Sequence, residues 1–341
     1  MNLMKGTCLA LVLGLGALAG APTMEARAAD LKPVVFSLDF IPLGRHAAWY
    51  AAKEQGFFKE EGLDVSIIPS QGTAQVMQAI ATDTAQFGFV DLPGVVLAQA
   101  GGTDIKMIAV NYQKAPYAIF SLANGGNVET AAQLEGLSLG SGAGSITPKV
   151  IGGFMSQKGL AADKLNIVNV APPARAAALL TGQVPAIEFF VMAKPGLEKA
   201  AKDAGTELKT FLLADNGLEL YSNGIGVSAA YLEKNPDVAK GFVRAALRGW
   251  QFALQNPEKA ADDIMKNVDG LKREVVLAEI EVVRNLVVTD EVKANGLGSF
   301  STDKMAAGVA FVVDHVGVEG KAPAADAIYA TGFLPETAIL P

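Results

Sequence analysis

The residues best placed to do chemistry lie in a glycine-rich segment, Ser141 to Pro148, which reads SGAGSITP. The segment follows a predicted strand and opens a predicted helix whose first turn accommodates Pro148. Glycines let a ligand approach the main chain, and amides at a helix N-terminus favour an anionic or acceptor-rich group. A tight strand-to-helix turn without a ligand has the same pattern. The candidate ligand-binding residues of this loop are Ser141, Gly142, Ala143, Gly144 and Ser145.

A second set of candidates follows the predicted strands of the N-terminal third. Open α/β sheets bind ligands in the crevice at the carboxyl ends of their strands, so side chains in these loops converge on one place. The alternative role is structural, because aspartate and threonine at such positions are also ordinary helix caps. The candidates are Asp39, Phe40, Arg45, His46, Gln71, Gly72, Thr73 and Asp91.

Two further candidates lie later in the chain. Glu188 is part of an apolar run, AIEFF, where a buried carboxylate needs a partner. The alternatives are a solvent-facing strand end, an ion pair with a neighbouring lysine, and acceptance of a hydrogen bond from a ligand amine. Tyr221 lies where the chain is expected to cross between lobes, and its ring is suited to stack on a planar ligand. If Asp39 and Glu188 bind a ligand amine, Asp39→Asn and Glu188→Gln should weaken its binding and spare folding.

No pattern in the sequence demands catalysis. The GxSxG motif of a nucleophile elbow does not occur, and paired carboxylates cannot be assigned. His46 and His315 are the only histidines, and they lie far apart without HExxH spacing. We therefore predict no catalytic residues, no metal and no cofactor.

Short β-branched runs alternate with alanine-rich helical stretches from Leu31 onward, which is the pattern of parallel sheets with crossover helices. The predicted class is α/β. Helices are predicted to begin near residues 46, 73 and 92, and later near 145, 173 and 194. The predicted strands span residues 34–38, 64–69, 86–89 and 105–110 in a first series, and 118–122, 137–140, 166–170, 186–189 and 208–213 in a second.

The segment DNGLELYSNGIGVS after the second series predicts a crossing back to the first sheet. A chain of 341 residues exceeds what one core usually serves, so two lobes joined by a two-strand hinge are expected. The first lobe would comprise residues 29–115 and 222–341, and the second residues 116–221. Asn-Pro pairs at 235–236 and 256–257 predict helix starts, and further helices are expected over 272–287 and 302–315.

The composition is that of a packed globular protein, with 50% hydrophobic residues and a formal net charge of −7. An acidic balance argues against nucleic acid as a partner. Lys5, the apolar run 9–21 and the small residues of 26–28 predict a cleavable signal peptide over residues 1–28. Cys8 is the only cysteine and precedes the apolar run, so a chain cleaved after Ala28 has no thiol.

Three segments make the chain recognisable: LDFIPLGRHAAWYAAKEQGFFKEEGLDV, GTAQVMQAIATDTAQFGFVD and LYSNGIGVS. With the closing KMAAGVAFV and YATGFLP segments, the chain resembles the substrate-binding proteins of ABC importers for thiamine pyrimidine precursors, sulfonates, taurine and nitrate. The resemblance covers nearly the whole chain after the predicted signal peptide. It marks the family well and the ligand poorly.

The resemblance implies a type II periplasmic-binding-protein clamp, in which two hinged α/β lobes close over a small molecule. It also implies a periplasmic monomer that delivers the ligand to a membrane permease and its ATPase, although a sensing role would look the same in sequence. By position, the resemblance carries over Asp39 with Phe40, His46, Gln71 to Thr73, Asp91, Ser141 to Ser145, Glu188 and Tyr221.

The pyrimidine-precursor branch looks most similar because an aromatic and acidic cleft suits an aminopyrimidine ring. That branch commonly has a tryptophan and an asparagine-rich stretch before the histidine, where this chain has Ile41 to Arg45. Arg45 favours a carboxylate or sulfonate instead, so sulfonate, taurine or aromatic carboxylate binding is the alternative. An enzyme similar to the fungal thiamine-pyrimidine synthase is a further alternative, but the cysteine-rich iron motif of that enzyme is absent.

Overall fold

The computed structural model describes residues 31–341, in which the strands form two five-stranded sheets. The predicted signal peptide and Cys8 lie outside the described residues. The predicted strands are confirmed to within two residues at their ends. The central strands, such as β3 and β5, are apolar runs buried on both faces, whereas β2 and β7 have exposed positions. The strands are β1 Lys32–Ser37, β2 Leu63–Ile68, β3 Phe87–Asp91, β4 Ile105–Val110, β5 Tyr117–Leu122, β6 Ser138–Ser141, β7 Asn166–Asn169, β8 Ala186–Phe190, β9 Leu208–Leu212 and β10 Asn223–Ser228.

Each sheet is mostly parallel, as predicted, but holds one antiparallel strand. The first sheet has the order β2-β1-β3-β10-β4, in which β10 runs antiparallel to both of its neighbours. The second has the order β7-β6-β8-β5-β9, in which β5 runs antiparallel to both of its neighbours. The antiparallel strand of each sheet is the strand by which the chain enters it from the other sheet.

The helices cover the faces of the two sheets. Proline in the first turn starts several of them, including the two at Asn-Pro pairs predicted from sequence. The helices are α1 Ala47–Glu54, α2 Phe57–Glu60, α3 Thr73–Ala81, α4 Leu92–Ala100, α5 Thr147–Gln157, α6 Pro172–Leu180, α7 Lys194–Asp203, α8 Ala229–Lys234, α9 Pro236–Gln255, α10 Pro257–Met265, α11 Arg273–Val287, α12 Asp290–Asn295 and α13 Thr302–Phe311.

The predicted C-terminal helix over 302–315 is helical throughout: α13 ends at Phe311, and the chain continues directly as a π-helical turn, Val312–Val316. This turn packs against α5, a helix beside the second sheet. A methyl group at Gly153 of α5 would come within 2.6 Å of the Val316 side chain. The C-terminal third therefore packs against elements that flank both sheets, and not only the first. Within residues 31–341, no helix is long and apolar enough to cross a membrane.

The two crossings between the sheets are hydrogen-bonded to each other. The carbonyl of Asn223 accepts from the amides of Asn111 and Tyr112, both at 2.8 Å. In return, the amide of Ser222 donates to the carbonyl of Tyr112 at 3.0 Å. This pairing matches the predicted two-strand hinge. Residues that follow β1, β2 and β6, together with the end of β8, line one cleft between the sheets.

Candidate functional site

A cavity lies between the carboxyl ends of the two sheets. The space inside it is about 510 Å³, a volume that includes the open solvent at its mouth. Both sheets contribute to its wall, so the cavity belongs to neither lobe alone. The lining residues are Asp39, Phe40, Leu43, Arg45, Gly72, Thr73, Ser145, Ile146, Thr147, Arg175, Glu188, Phe189, Phe190 and Ala193.

Asp39 is the centre of a buried hydrogen-bond network on the first-sheet side. Its carboxylate accepts two hydrogen bonds from the Arg45 guanidinium, at 2.9 and 3.0 Å. It also accepts one from Asn223 Nδ2 at 3.0 Å and one from His46. Burial alone would raise the pKa of Asp39, but the charge of Arg45 and the His46 and Arg45 hydrogen bonds hold it below its usual range. The carboxylate is therefore ionised and fully engaged.

His46 is locked in one neutral tautomer behind this carboxylate. Its Nδ1 accepts from the amide of Leu43 at 3.0 Å, so Nε2 carries the proton and donates to Asp39 at 2.8 Å. Burial and the nearby Arg45 charge lower the pKa of His46 to about 4. The ring is buried and is not part of the cavity wall. His46 therefore orients Asp39 instead of facing the ligand space.

Glu279 of α11 supports the same corner from outside the cavity. Its Oε2 accepts from the backbone amide of Arg45 at 3.1 Å, and the residue is 4% exposed. Burial raises the pKa of Glu279 to about 7, and the Arg45 amide and charge offset only part of that rise. At neutral pH this carboxyl is partly protonated.

We expect Glu279→Gln to change the pH dependence of stability. The folded pKa of about 7 lies above the ordinary value of 4.5, so ionisation costs the folded state stability as pH rises between those values. Relative to the variant, the wild type should lose on the order of 3 kcal/mol of unfolding free energy from pH 4.5 to above 7. Urea unfolding of both proteins across this range measures the difference. A difference independent of pH would contradict the burial of an ionisable Glu279.

Glu188 forms the corresponding network on the second-sheet side. Its Oε1 accepts from Arg175 Nη1 at 2.8 Å and from the hydroxyl of Ser141 at 2.7 Å. Burial raises the pKa of Glu188, and Arg175, Ser141 and the hydroxyls of Ser145 and Thr147 counter that rise only in part. The partner of this buried carboxylate is thus Arg175, and not the lysine or the ligand amine considered from sequence.

Three phenylalanine rings join the two networks. Phe40 from the first lobe meets Phe189 from the second edge to face, with ring centroids 6.1 Å apart. The Arg45 guanidinium lies 5.0 Å from the centroid of Phe190, and that of Arg175 lies 4.8 Å from Phe189. Each arginine thus contacts an aromatic ring at the cavity wall. Planar aromatic and cationic surfaces of this kind suit a flat, π-rich ligand.

Hydroxyl groups supply the polar part of the wall. Thr73 donates to Asp91 at 2.6 Å, which leaves the Thr73 oxygen free to accept from a ligand. Asp91 also accepts from the amide of Gly94 at 2.6 Å as the N-cap of α4, the structural alternative weighed for it from sequence. Burial raises the pKa of Asp91 to about 6. Asp91 therefore positions Thr73 and does not itself line the cavity.

Two glycine loops close the cavity at one end. Gly72 has φ +138°, a conformation that L side chains rarely adopt, and a Cβ there would lie 2.7 Å from the carbonyl oxygen of Gly144. That oxygen accepts from the amide of Ala74 at 3.3 Å. The first-lobe and second-lobe loops therefore touch through their backbones, and the lobes are in a closed arrangement.

The structure brings part of the predicted set to the cavity. The predicted residues on the wall are Asp39, Phe40, Arg45, Gly72, Thr73, Ser145 and Glu188. The predicted residues that lie off the wall are His46, Gln71, Asp91, Ser141, Gly142, Ala143, Gly144 and Tyr221. His46, Asp91 and Ser141 support residues of the wall through hydrogen bonds.

Tyr221 and Gln71 are placed away from the ligand space. The Tyr221 hydroxyl donates to Glu291 and accepts from the amide of Ser301 at 3.0 Å, so the side chain anchors the crossing to the C-terminal helices. Gln71 is exposed, and its backbone amide donates to the side-chain oxygen of Gln75 at 2.7 Å. The Tyr221 side chain, expected from sequence to wall the cleft, faces these helices and is not among the residues of the cavity wall.

Sequence reasoning missed Arg175 and the apolar part of the wall. In α6, Pro172, Arg175 and Leu179 are buried and share one helical face, so a charged residue on an apolar face was the available signal. An arginine there requires a buried anionic partner. The wall residues absent from the predicted set are Leu43, Ile146, Thr147, Arg175, Phe189, Phe190 and Ala193.

The order of the strands and the cavity between their carboxyl ends define a two-lobed α/β fold, and solved structures share it. The alkanesulfonate-binding protein SsuA from Xanthomonas axonopodis pv. citri superposes with a TM-score of 0.69 at 16% identity, covering 89% of this chain and 100% of that one. A Candida albicans protein described as having the generic periplasmic binding protein fold superposes with a TM-score of 0.64 at 14% identity, covering 91% of this chain and 98% of that one. The predicted periplasmic-binding-protein fold is confirmed.

The chain belongs to the NMT1/THI5-like family, whose model matches residues 44–260. The riboflavin-binding protein RibY of Chloroflexus aurantiacus is 28% identical over 71% of this chain and 68% of its own length. The formylaminopyrimidine-binding protein of Halalkalibacterium halodurans is 25% identical over 70% and 72%. A 4-amino-5-hydroxymethyl-2-methylpyrimidine phosphate synthase of Saccharomyces cerevisiae, THI13, is 23% identical over 67% and 68%. The family suspected from the sequence is confirmed.

Proposed function

We propose that this chain is the solute-binding component of an ABC importer and holds a small planar organic solute, such as a pyrimidine precursor of thiamine, between its two lobes. The observation that carries the proposal is the cavity itself, whose wall combines Phe40 of the first lobe with Phe189 and Phe190 of the second. A ligand that contacts both halves stabilises the closed form, which a transporter can recognise. The relatives that bind riboflavin and formylaminopyrimidine support a flat heterocycle as the cargo.

The proposal places the protein in the periplasm, as a monomer that engages a membrane permease and its ATPase. The lobe boundaries that go with it are residues 29–115 and 222–341 for the first lobe and 116–221 for the second. The division is supported by the strands, since β1 to β4 and β10 build one sheet and β5 to β9 the other. The hinge then consists of the paired crossings near Tyr112 and Ser222.

The geometry favours binding over a synthase reaction, although synthases occur among the relatives. The histidine that the resemblance carried over, His46, has both ring nitrogens engaged, by Leu43 and by Asp39. It is fully buried and separated from the cavity wall. A residue held in this way is suited to support the binding site and not to react with a substrate.

A ligand panel tests the proposal. The protein would be unfolded and refolded to remove any bound solute, and its melting temperature measured with aminopyrimidines, riboflavin, aromatic carboxylates, sulfonates and nitrate. We expect a planar ring compound to raise the melting temperature and to bind with one-to-one stoichiometry in calorimetry. If only nitrate or aliphatic sulfonates bind, the planar-solute assignment is wrong and the alternative of anion binding replaces it.

Phe189→Ala should weaken the solute found in that panel about tenfold, because the ring is a partly exposed aromatic surface on the wall. The matched control is Phe252→Ala, which removes another partly buried ring, on α9 and away from the cavity. Calorimetric titration of both variants measures the effect. Equal affinity of Phe189→Ala and the wild type would remove this ring from the site.

A further inference from the structure

The Arg175 guanidinium carries a donor that the protein leaves unused. Its Nε donates to the carbonyl of Val170 at 3.3 Å, and its Nη1 donates to the carbonyl and the carboxylate of Glu188 at 2.9 and 2.8 Å. Among residues 31–341, Nη2 has no hydrogen-bond partner although the residue is 1% exposed. An unpaired donor on a buried cation is more unfavourable than one on a buried neutral group.

The surroundings of Arg175 place its guanidinium at the cavity wall. Arg175 forms part of the wall, and its guanidinium lies 4.8 Å from the Phe189 centroid and 6.0 Å from that of Phe40. On the other side, a Cβ at position 142 would lie 2.9 Å from Nη2. Gly142 therefore leaves room for the guanidinium, which explains this glycine of the SGAGS loop without a direct ligand contact.

The carboxylates of the cavity wall, unlike Arg175 Nη2, already have hydrogen-bond partners. Both oxygens of Asp39 accept hydrogen bonds from Arg45, whose two terminal nitrogens are thereby paired. Glu188 is paired with Arg175 and receives the Ser141 hydroxyl. Among the described residues of the wall, there is thus a spare donor and no carboxylate without a partner. A ligand oxygen would satisfy Nη2, whereas a ligand amine would meet carboxylates whose charge an arginine already balances.

We propose that Arg175 is a specificity-determining residue that receives a carbonyl or carboxylate oxygen attached to the planar ring of the solute. The inference rests on the proposed function, because it places the ring against Phe40 and Phe189. It replaces the expectation that Asp39 and Glu188 accept a ligand amine. The substrate class is therefore a ring compound with an acceptor oxygen, in preference to one with a free amine.

Matched ligand pairs test this on the wild-type protein. One pair is 4-amino-5-formamidomethyl-2-methylpyrimidine and its deformylated amine, which differ only in the formyl group. The other is benzoate and benzylamine, which separates a carboxylate source of the oxygen from a carbonyl source. We expect at least one oxygen-bearing member to bind about tenfold or more tightly than its amine partner. Amines that bind equally well or better would overturn the inference and leave the proposed function intact. If none of the four binds and only nitrate or aliphatic sulfonates do, both are overturned.

Arg175→Lys tests the residue itself. Lysine keeps a positive charge beside Glu188 and removes the forked Nη2 donor. We expect the ratio of affinities within the favoured pair to fall at least about tenfold, whereas simple structural damage would lower both affinities and leave the ratio unchanged. If this variant does not fold, the neutral pair Arg175→Gln with Glu188→Gln serves the same comparison. The control is Arg284→Lys on the surface of α11, which should change neither affinity, and an unchanged ratio in the Arg175 variants would refute the inference.

Discussion

Asp39→Asn is expected to lower the free energy of unfolding by about 3–5 kcal/mol, the range found when one partner of a buried ion pair is removed. Asp39 is 6% exposed and neutralises Arg45, which is 5% exposed. Asparagine cannot compensate that charge, and its amide would face the donors of Arg45, Asn223 and His46. The buried network therefore reverses the expectation from sequence that this substitution spares folding.

Urea unfolding of the ligand-free protein measures this effect. The matched control is Asp64→Asn, which makes the same chemical change on an exposed position of β2 and should alter stability by less than about 0.5 kcal/mol. A loss in Asp39→Asn no larger than in the control would mean that Arg45 is solvated or paired elsewhere.

Gly72→Ala is expected to weaken solute binding by roughly tenfold to a hundredfold. This corresponds to about 1–3 kcal/mol of binding free energy, lost because the lobes can no longer close fully. A methyl group at this position would lie 2.7 Å from the Gly144 oxygen of the opposite lobe. The two loops could then no longer meet, and the Ala74 amide would lose its bond to Gly144. The lobes themselves should fold normally, since the clash exists only in the closed arrangement.

The control separates the clash from backbone strain. Gly62 has φ +73°, and nothing lies within 4 Å of the position that a methyl group would occupy there, so Gly62→Ala carries strain without an obstruction. Both variants should lose some stability, but only Gly72→Ala should lose affinity in a calorimetric titration. Wild-type affinity in Gly72→Ala would show that the glycine loops do not have to meet for the solute to bind.

Much of the fold could be predicted because its signals are local. Runs such as those of β1 and β5 are rich in apolar residues, and proline after asparagine marks the starts of α9 and α10. The crossing back at β10 could also be predicted from glycine punctuation before an extended run. The antiparallel direction of β5 and β10 could not be predicted, because it depends on which strands of a distant sheet they enter.

The site was predictable only where one loop determined it. Open α/β sheets bind ligands at the carboxyl ends of their strands. This rule identified the candidates that closely follow a strand, which are Asp39, Phe40, Thr73 and Ser145. The partnership of Arg175 with Glu188 was not predictable, because it joins two elements separated by 13 positions in the chain. The same limit explains why the sequence left the partner of Glu188 open between a lysine and a ligand amine: a buried carboxylate indicates that a partner exists but does not identify it.

The most direct test of the two-lobed clamp is X-ray scattering of the refolded protein, first alone and then saturated with the ring compound that raises its melting temperature most. We predict a smaller radius of gyration with the solute, because the ligand shifts the population toward the closed arrangement in which Gly72 meets Gly144. If the radius of gyration of the saturated protein stays at the ligand-free value, the two lobes do not close over a solute bound between them.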